Sequence, residues 1–368
     1  MSRTTAFVLG GSAGVGRAVT EALVRAGYHV GVIARGQERL DALEAEFPGR
    51  VATAAADVAD AEALGLAVEG LVNRIGRPGV WVNSAMITSF SPFEEMAVEE
   101  FDRIVSVTFL GQVNGTRLAL RWMGEGRIVS VGSGLTQRSV PLQSAYCASK
   151  HAIDGFLSAV RSELIHEGRP ITISQVLLPA VNTPQFDWAL NRLTEKPQPA
   201  PPIYQPEVAA RGVMRAIRTG AREIWVGTSV LKLMLGQAVA PGWMDRKMAR
   251  MGWSMQYSGR PEPGGRPNNL DAPVDFPERG PGSFYPARAH GSFDHRAKAR
   301  GPIVNGDSLR SAAVAAVPLV GLAAGLLAFT AAKSLRSEGG APHRPLRSRI
   351  PGRRKPLQAP YVARPPRS

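Results

Sequence analysis

Short unbroken apolar runs alternate, over the first two thirds of the chain, with longer segments in which apolar residues return every three or four positions. The runs Thr5 to Leu9, Tyr28 to Ala34, Arg50 to Ala56, Val80 to Asn83, Arg127 to Val131, Ile171 to Leu178 and Glu223 to Gly227 read as strands. The segments between them, with Val19, Leu23 and Val24 after the first run and Glu99 to Met123 after the fourth, read as helices. Strands alternating with helices require right-handed crossovers. The pattern predicts an α/β domain over residues 1–228, a doubly wound parallel sheet of about seven strands with helices on both faces.

After the seventh run the pattern changes. Leu231 to Trp253 mixes an apolar run with Asp245, Arg246, Lys247 and Arg250, which predicts an amphipathic helical appendage over 229–258. It docks on its own domain or lies at a membrane surface. Residues 259–310, rich in Pro, Gly, Arg and Asn, show no sustained periodicity and are expected to form a linker without a fixed core. Ser311 to Ala332 then carries no charge over twenty-two residues, enough to cross a bilayer core of about 30 Å. Its alanines and glycines and Pro318 keep insertion marginal, so 311–332 is expected as a hydrophobic membrane segment that spans or lies in the interface.

Charge sharpens this division. Of the formal +14, the residues from Arg296 onward hold fourteen Lys/Arg against Asp307 and Glu338, which is +12 and leaves +2 for the first 295. The tail over 333–368 is therefore expected to be a disordered basic segment that resists translocation and suits anionic lipid head groups. Nucleic acid is disfavoured as a partner, because no aromatic interleaving or folded reading module accompanies the charge.

At 368 residues the chain can bury one large core and carry appendages. The single cysteine, Cys147, excludes an internal disulfide and is compatible with a reducing compartment. Met1 to Thr5 is too short to hold an apolar signal core, so the expectation is a cytoplasmic protein, with membrane association through 311–332 as an addition.

Two short stretches carry the candidate chemistry. Thr5 to Leu9 runs into GGSAGVGRAV, where Gly10, Gly14 and Gly16 precede a helical pattern and Ser12 and Val15 stand between them. A strand, a glycine turn and a helix start in that order let backbone N–H groups approach a pyrophosphate. In the second stretch, Tyr146 and Lys150 are four residues apart and rise from one face if the segment is helical, with Ser133 at the end of the fifth strand. The ammonium is expected to favour the phenolate and lower the Tyr146 pKa.

Together these motifs resemble the short-chain dehydrogenase/reductase family over roughly Thr4 to Gly227, and the resemblance implies a Rossmann-type fold. It places the family's catalytic serine, tyrosine and lysine on Ser133, Tyr146 and Lys150. It implies that Gly10, Gly14 and Gly16 form the nucleotide fingerprint, that Asp57 and Val58 lie beside the adenine, and that Asn83 belongs to the cofactor loop. The proline after the sixth strand matches Pro179, and the threonine that meets the carboxamide matches Thr183. The chain departs from the family at Leu9, at Met86 and at Thr108, which stands where the family's tetrad has asparagine. A hydroxyl cannot reproduce an amide's paired donor and acceptor.

At the end of the second strand, where an acid would bind a ribose 2′-hydroxyl, the chain has Arg35, which suits a 2′-phosphate. The expected cofactor is NADP(H), with NAD(H) retained as the alternative. The segment Val181 to Pro206, with Phe186, Trp188 and Leu190, lies where the family carries a lid; its apolar members close over a lipophilic substrate or pack beneath the lid. Gln143 also faces the substrate space in this scheme. The function implied is hydride transfer between nicotinamide and a small-molecule carbonyl or alcohol, without a metal, and the family analogy suggests a homo-oligomer. The competing class is a non-catalytic nucleotide-binding scaffold, which the departures at Met86 and Thr108 suggest.

Overall fold

The computed structural model describes residues 5–262, 264–274, 289–312 and 314–315. The membrane segment and the basic tail expected beyond Ser311 lie almost wholly outside these residues. Among the described residues no helix is long and apolar enough to cross a membrane.

Through the first half of the chain the elements are β1 (Thr5–Leu9), α1 (Gly14–Arg25), β2 (His29–Ala34), α2 (Gln37–Glu46), β3 (Val51–Ala55), α3 (Ala61–Ile75), β4 (Val80–Asn83), β5 (Ser89–Phe90), α4 (Val98–Val105), α5 (Gly111–Trp122) and β6 (Gly126–Ser133). There follow α6 (Ser144–His166), β7 (Ile171–Leu178), α7 (Gln185–Trp188), β8 (Leu190–Asn191), β9 (Glu195–Pro197), α8 (Pro206–Thr219), β10 (Glu223–Val226), α9 (Gly227–Val239), α10 (Pro241–Met251), β11 (Tyr257–Pro261) and β12 (Ile303–Asn305). The main sheet runs β12-β10-β7-β6-β4-β1-β2-β3 and is parallel except for β12, which pairs antiparallel with β10. Helices cover both faces of this Rossmann-type sheet, as the alternating pattern predicts.

The period of two along each strand builds two cores. Val32, Val8, Val82 and Val129 are register partners across four strands, and all lie in the core on one face. One residue earlier, Phe7, Trp81 and Ile128 partner one another and join Ile173 in the core on the other face. A one-residue slip of any strand would exchange the two sets, so burial on both faces fixes the register.

Three features differ from expectation. The sheet has an eighth strand, β12, taken from the stretch expected to be a linker. It is held from the side as well as by pairing: Arg215 donates to the Ile303 carbonyl at 2.6 Å, and Arg310 reaches the buried Glu223 at 2.8 Å. Ile303 to Asn305 is too short for periodicity to reveal, and its partners lie some eighty residues away. Secondly, the segment 264–274 packs on the domain. Arg266 donates to the carbonyls of Phe186, Asp187 and Ala189, and Leu270 is buried in a core. Finally, the boundaries drawn at 228 and 258 separate no bodies, since the described residues up to Ser311 belong to one compact unit.

The helical segment after β4 is continuous but contains a π turn, Ser106–Leu110, between α4 and α5. The fully buried Thr108 sits in it, and its hydroxyl donates to the Ile87 carbonyl at 2.8 Å while accepting from the Ile87 N–H at 3.1 Å.

Candidate active site

The carboxyl ends of the parallel strands open into one cavity of about 960 Å³. This is the edge at which open α/β sheets bind ligands. Its floor at the β1–α1 turn is set by glycine. Gly10 has φ +76°, and a Cβ there would lie 2.6 Å from the Ala85 backbone; a Cβ on Gly16 would lie 2.0 Å from the Gly10 carbonyl oxygen. Helix α1 follows Ala13 at its N-cap, which gives no side-chain cap, and has no acid in its first turn. Its first N–H groups therefore face the cavity without an internal anion, the condition a pyrophosphate needs.

Beside the turn, β6 ends at Ser133 and α6 carries Tyr146 and Lys150 one turn apart. All three line the cavity. Ser133 is held at a short 3₁₀ turn, where its hydroxyl accepts from the Leu135 N–H at 3.1 Å. Lys150 is 2% exposed, its Nζ donates to the Val131 carbonyl at 2.9 Å, and it stands 5.4 Å from the centre of the Tyr146 ring.

The electrostatics correct the expected acid phenol. Burial pushes the Tyr146 hydroxyl well above its ordinary value, and its hydrogen bond with Ser133 pulls back only part of that rise. Burial likewise pulls the Lys150 ammonium down to about 7. A medium of low dielectric disfavours both charges, and a lysine on the verge of losing its own proton is a weak stabiliser of a phenolate. In this state Tyr146 is a neutral proton donor.

Of the expected cofactor residues, Gly10, Ser12, Gly14, Val15, Gly16, Arg35, Val58, Pro179 and Thr183 line the cavity. Asn83 and Asp57 do not. Asn83 is buried beneath it, accepting from the Trp81 indole N–H at 2.9 Å and donating to Thr116 at 3.1 Å. Asp57 accepts from Arg103 and from the Ala59 N–H at 2.9 Å. Gln143 lines the cavity and donates to Gln256 at 2.6 Å.

Sequence reasoning missed two walls. Beside Arg35, Arg39 lies over the Trp188 ring at 4.3 Å and donates to the Val274 carbonyl, while Asn269, Pro273 and Val274 close this end. Opposite, α9 and α10 present Lys232, Leu233, Val239, Trp243, Lys247 and Met248 to the same space. The four-residue spacing of Val239, Trp243 and Lys247 was legible as a helix face, but the pattern did not tell that this face would meet the cavity.

Comparisons with known proteins agree with this architecture. Residues 4–191 match the family model described as short chain dehydrogenase. The chain is similar to an uncharacterized oxidoreductase, YxnA, of Bacillus subtilis (strain 168), at 28% identity over 262 residues, 69% of this chain and 74% of that protein. A crystal structure of a short-chain dehydrogenase from Streptomyces avermitilis superposes with a TM-score of 0.59 at 26% identity, covering 69% of this chain and 98% of that one. An actinorhodin polyketide ketoreductase with NADPH superposes with a TM-score of 0.53 at 27% identity, covering 59% and 91%. The chain belongs to the short-chain dehydrogenase family, whose model spans just over half of it and includes the glycine turn, Ser133, Tyr146 and Lys150. It is an oxidoreductase of the kind that acts on CH–OH and C=O groups.

Proposed function

We propose that the chain is an NADP(H)-dependent carbonyl reductase for lipophilic substrates. The observation that carries this reading is the convergence of Ser133, Tyr146 and Lys150 on a cavity floored by the glycine turn. When bound, the nicotinamide supplies the hydride. The open N–H groups of α1 would hold the pyrophosphate, and Thr183, which packs against Gly14, would flank it. Ser133 orients the substrate oxygen, and Tyr146, neutral at working pH, donates the proton that the reduced oxygen takes up. Lys150 would hold the ribose hydroxyls.

NADP is favoured over NAD by charge. Arg35 and Arg39 line the cavity beyond β2, and among the described residues no Asp, Glu or His lines it at all. The ketoreductase to which the chain is similar was solved with NADPH. Lipophilic substrates are favoured by the apolar residues that α9 and α10 add to the walls.

The test is NADPH oxidation by the full-length chain against a panel of hydrophobic ketones and aldehydes, with NADH in parallel. Turnover with NADPH supports the reading. Tight NADPH binding without turnover of any carbonyl would instead make the protein a nucleotide-binding scaffold.

A further inference from the structure

The five cations that line the cavity fall into separate groups. Arg35 and Arg39 follow β2, Lys150 stands beside Tyr146, and Lys232 and Lys247 lie on the helices that follow β10. In the sheet, β10 and β2 are five strand spacings apart, about 24 Å at roughly 4.8 Å per spacing. Lys232 and Lys247, on the helices that follow β10, therefore belong to a different end of the sheet from the phosphate that Arg35 would take.

Among the described residues no carboxylate pairs with Lys232 or Lys247, and Lys247 lies over the face of Trp243 at 4.8 Å. The acid nearest Lys247 in sequence, Asp245, is bound by Arg138 at 2.6 Å, and the acid nearest Lys232, Glu223, is bound by Arg222 and Arg310. Around them the wall is apolar. Leu235, Val239 and Trp243 line the cavity yet are 67%, 74% and 53% exposed, so they form its mouth.

The wall is rigidly tied to the catalytic loop. Arg138, five residues beyond Ser133, donates to Gln237 on α9 as well as to Asp245 on α10. Gln256, just past α10, donates to the Pro141 carbonyl at 2.8 Å and accepts from Gln143, three residues before Tyr146. Gly236 lets the helices meet closely, since a Cβ there would lie 2.9 Å from the Met244 sulfur. An apolar wall with two cations that no described carboxylate pairs thus stands near the mouth, tied to the loop that leads to Tyr146.

We infer that the substrate is an anionic amphiphile: an apolar body carrying the reacting carbonyl, and a carboxylate or phosphate that Lys232 and Lys247 receive. This deepens the reductase reading and rests on it for the carbonyl. Lys232 is exposed and Lys247 half-buried, so an anion here gains from two cations at the rim of the cavity, whereas a neutral analogue of equal length gains only apolar burial.

The experiment measures binding, so it stands apart from turnover. Decanoate, decyl phosphate and 1-decanol are titrated into the full-length chain by calorimetry in low salt. The expected result is that at least one of the two anions binds about tenfold tighter than the alcohol. The preference falls to near unity in the Lys232→Ala/Lys247→Ala double variant and is kept in the Lys232→Arg/Lys247→Arg variant. Equal affinities for all three ligands in the parent protein would overturn the inference, as would a preference that survives the double alanine variant. Failure of turnover on the carbonyl panel, with anion preference intact, would remove the reductase reading alone.

Discussion

The guanidinium of Arg35 donates to the carbonyl oxygen of Asn269 at 2.6 Å, across 234 residues of chain. It donates further to the carbonyls of Leu270 and Asp271, at 3.2 and 3.1 Å. The side chain proposed to select NADP is thus already capped by backbone from the C-terminal segment. A 2′-phosphate on Arg35 has to share or displace those carbonyls, whereas the 2′-hydroxyl of NAD does not. Saturating NADP⁺ is expected to speed amide hydrogen exchange across 268–271 by about tenfold, with NAD⁺ having little effect. Equal protection by both cofactors, read by mass spectrometry, would mean that phosphate and carbonyls do not compete.

Tyr146→Phe removes the proton donor and keeps the ring. The expected loss in kcat is about 100- to 10,000-fold, with NADPH affinity changed by less than about twofold. Fluorescence titration of NADPH beside steady-state assays separates the two quantities. Turnover near that of the parent would assign the proton to another group.

Lys150 gives the stability of the cofactor-free protein a pH dependence. Its ammonium titrates at 10.5 ordinarily and at about 7 when folded. Between those values the unfolded chain holds a proton that the folded chain has lost, so this group makes the protein more stable as pH rises from about 7. Tyr146 and Cys147, both pushed up by burial, act oppositely at higher pH. His290, raised against the effect of burial by its hydrogen bonds to Glu207 and Asp294, acts oppositely from about pH 6.5. The Lys150 contribution is therefore read as the difference between parent and variant over about pH 6.5–8.5. Urea midpoints are expected to rise across that window in the parent and to lose most of the rise in Lys150→Met. An unchanged slope in the variant would show that the ammonium stays charged.

The seven parallel strands were legible because each is an apolar run long enough to outlast chance, and the glycine turn because its spacing has one physical use. What escaped reading depends on contacts distant in sequence. Ile303 to Asn305 offers three residues between a proline and a glycine and is a strand only because β10 has a free edge. Arg266 and Asn269 look like linker residues until Phe186 to Trp188 supplies carbonyls and N–H partners. Asn83 and Asp57 were expected beside the cofactor, but their side chains turn to Trp81 and Thr116 and to Arg103, which spacing cannot foretell. The Tyr146–Lys150 pair was picked out by its spacing together with the glycine turn near the N-terminus. The direction of its pKa shifts was not, because burial outweighs the mutual effect of neighbours only once the surroundings are known.

Gly16 is where backbone meets backbone. An added Cβ would lie 2.0 Å from the Gly10 carbonyl oxygen, which no side-chain rotation relieves. Gly16→Ala is expected to lower stability by about 3 kcal/mol or more, or to open the β1–α1 turn and weaken NADPH binding by at least about tenfold. Denaturant midpoints and cofactor titration on the same preparation would show either outcome, and parent-like values in both would mean that the turn is looser than drawn.

Thr108 stands where the family's tetrad has asparagine, and its hydroxyl is spent on both backbone groups of Ile87. Ile87 and its neighbours Ala85, Met86 and Thr88 line the cavity, so this pair of hydrogen bonds pins one cavity wall to the π turn. Thr108→Val keeps the shape and strands a buried N–H and a buried carbonyl, which costs about 1–3 kcal/mol. If the hydroxyl serves only this pin, stability falls while the pH profile of kcat keeps its form; Thr108→Ser, which retains the hydroxyl, restores most of the loss. A variant with parent stability and a displaced pH profile would instead make Thr108 part of the proton path to Lys150.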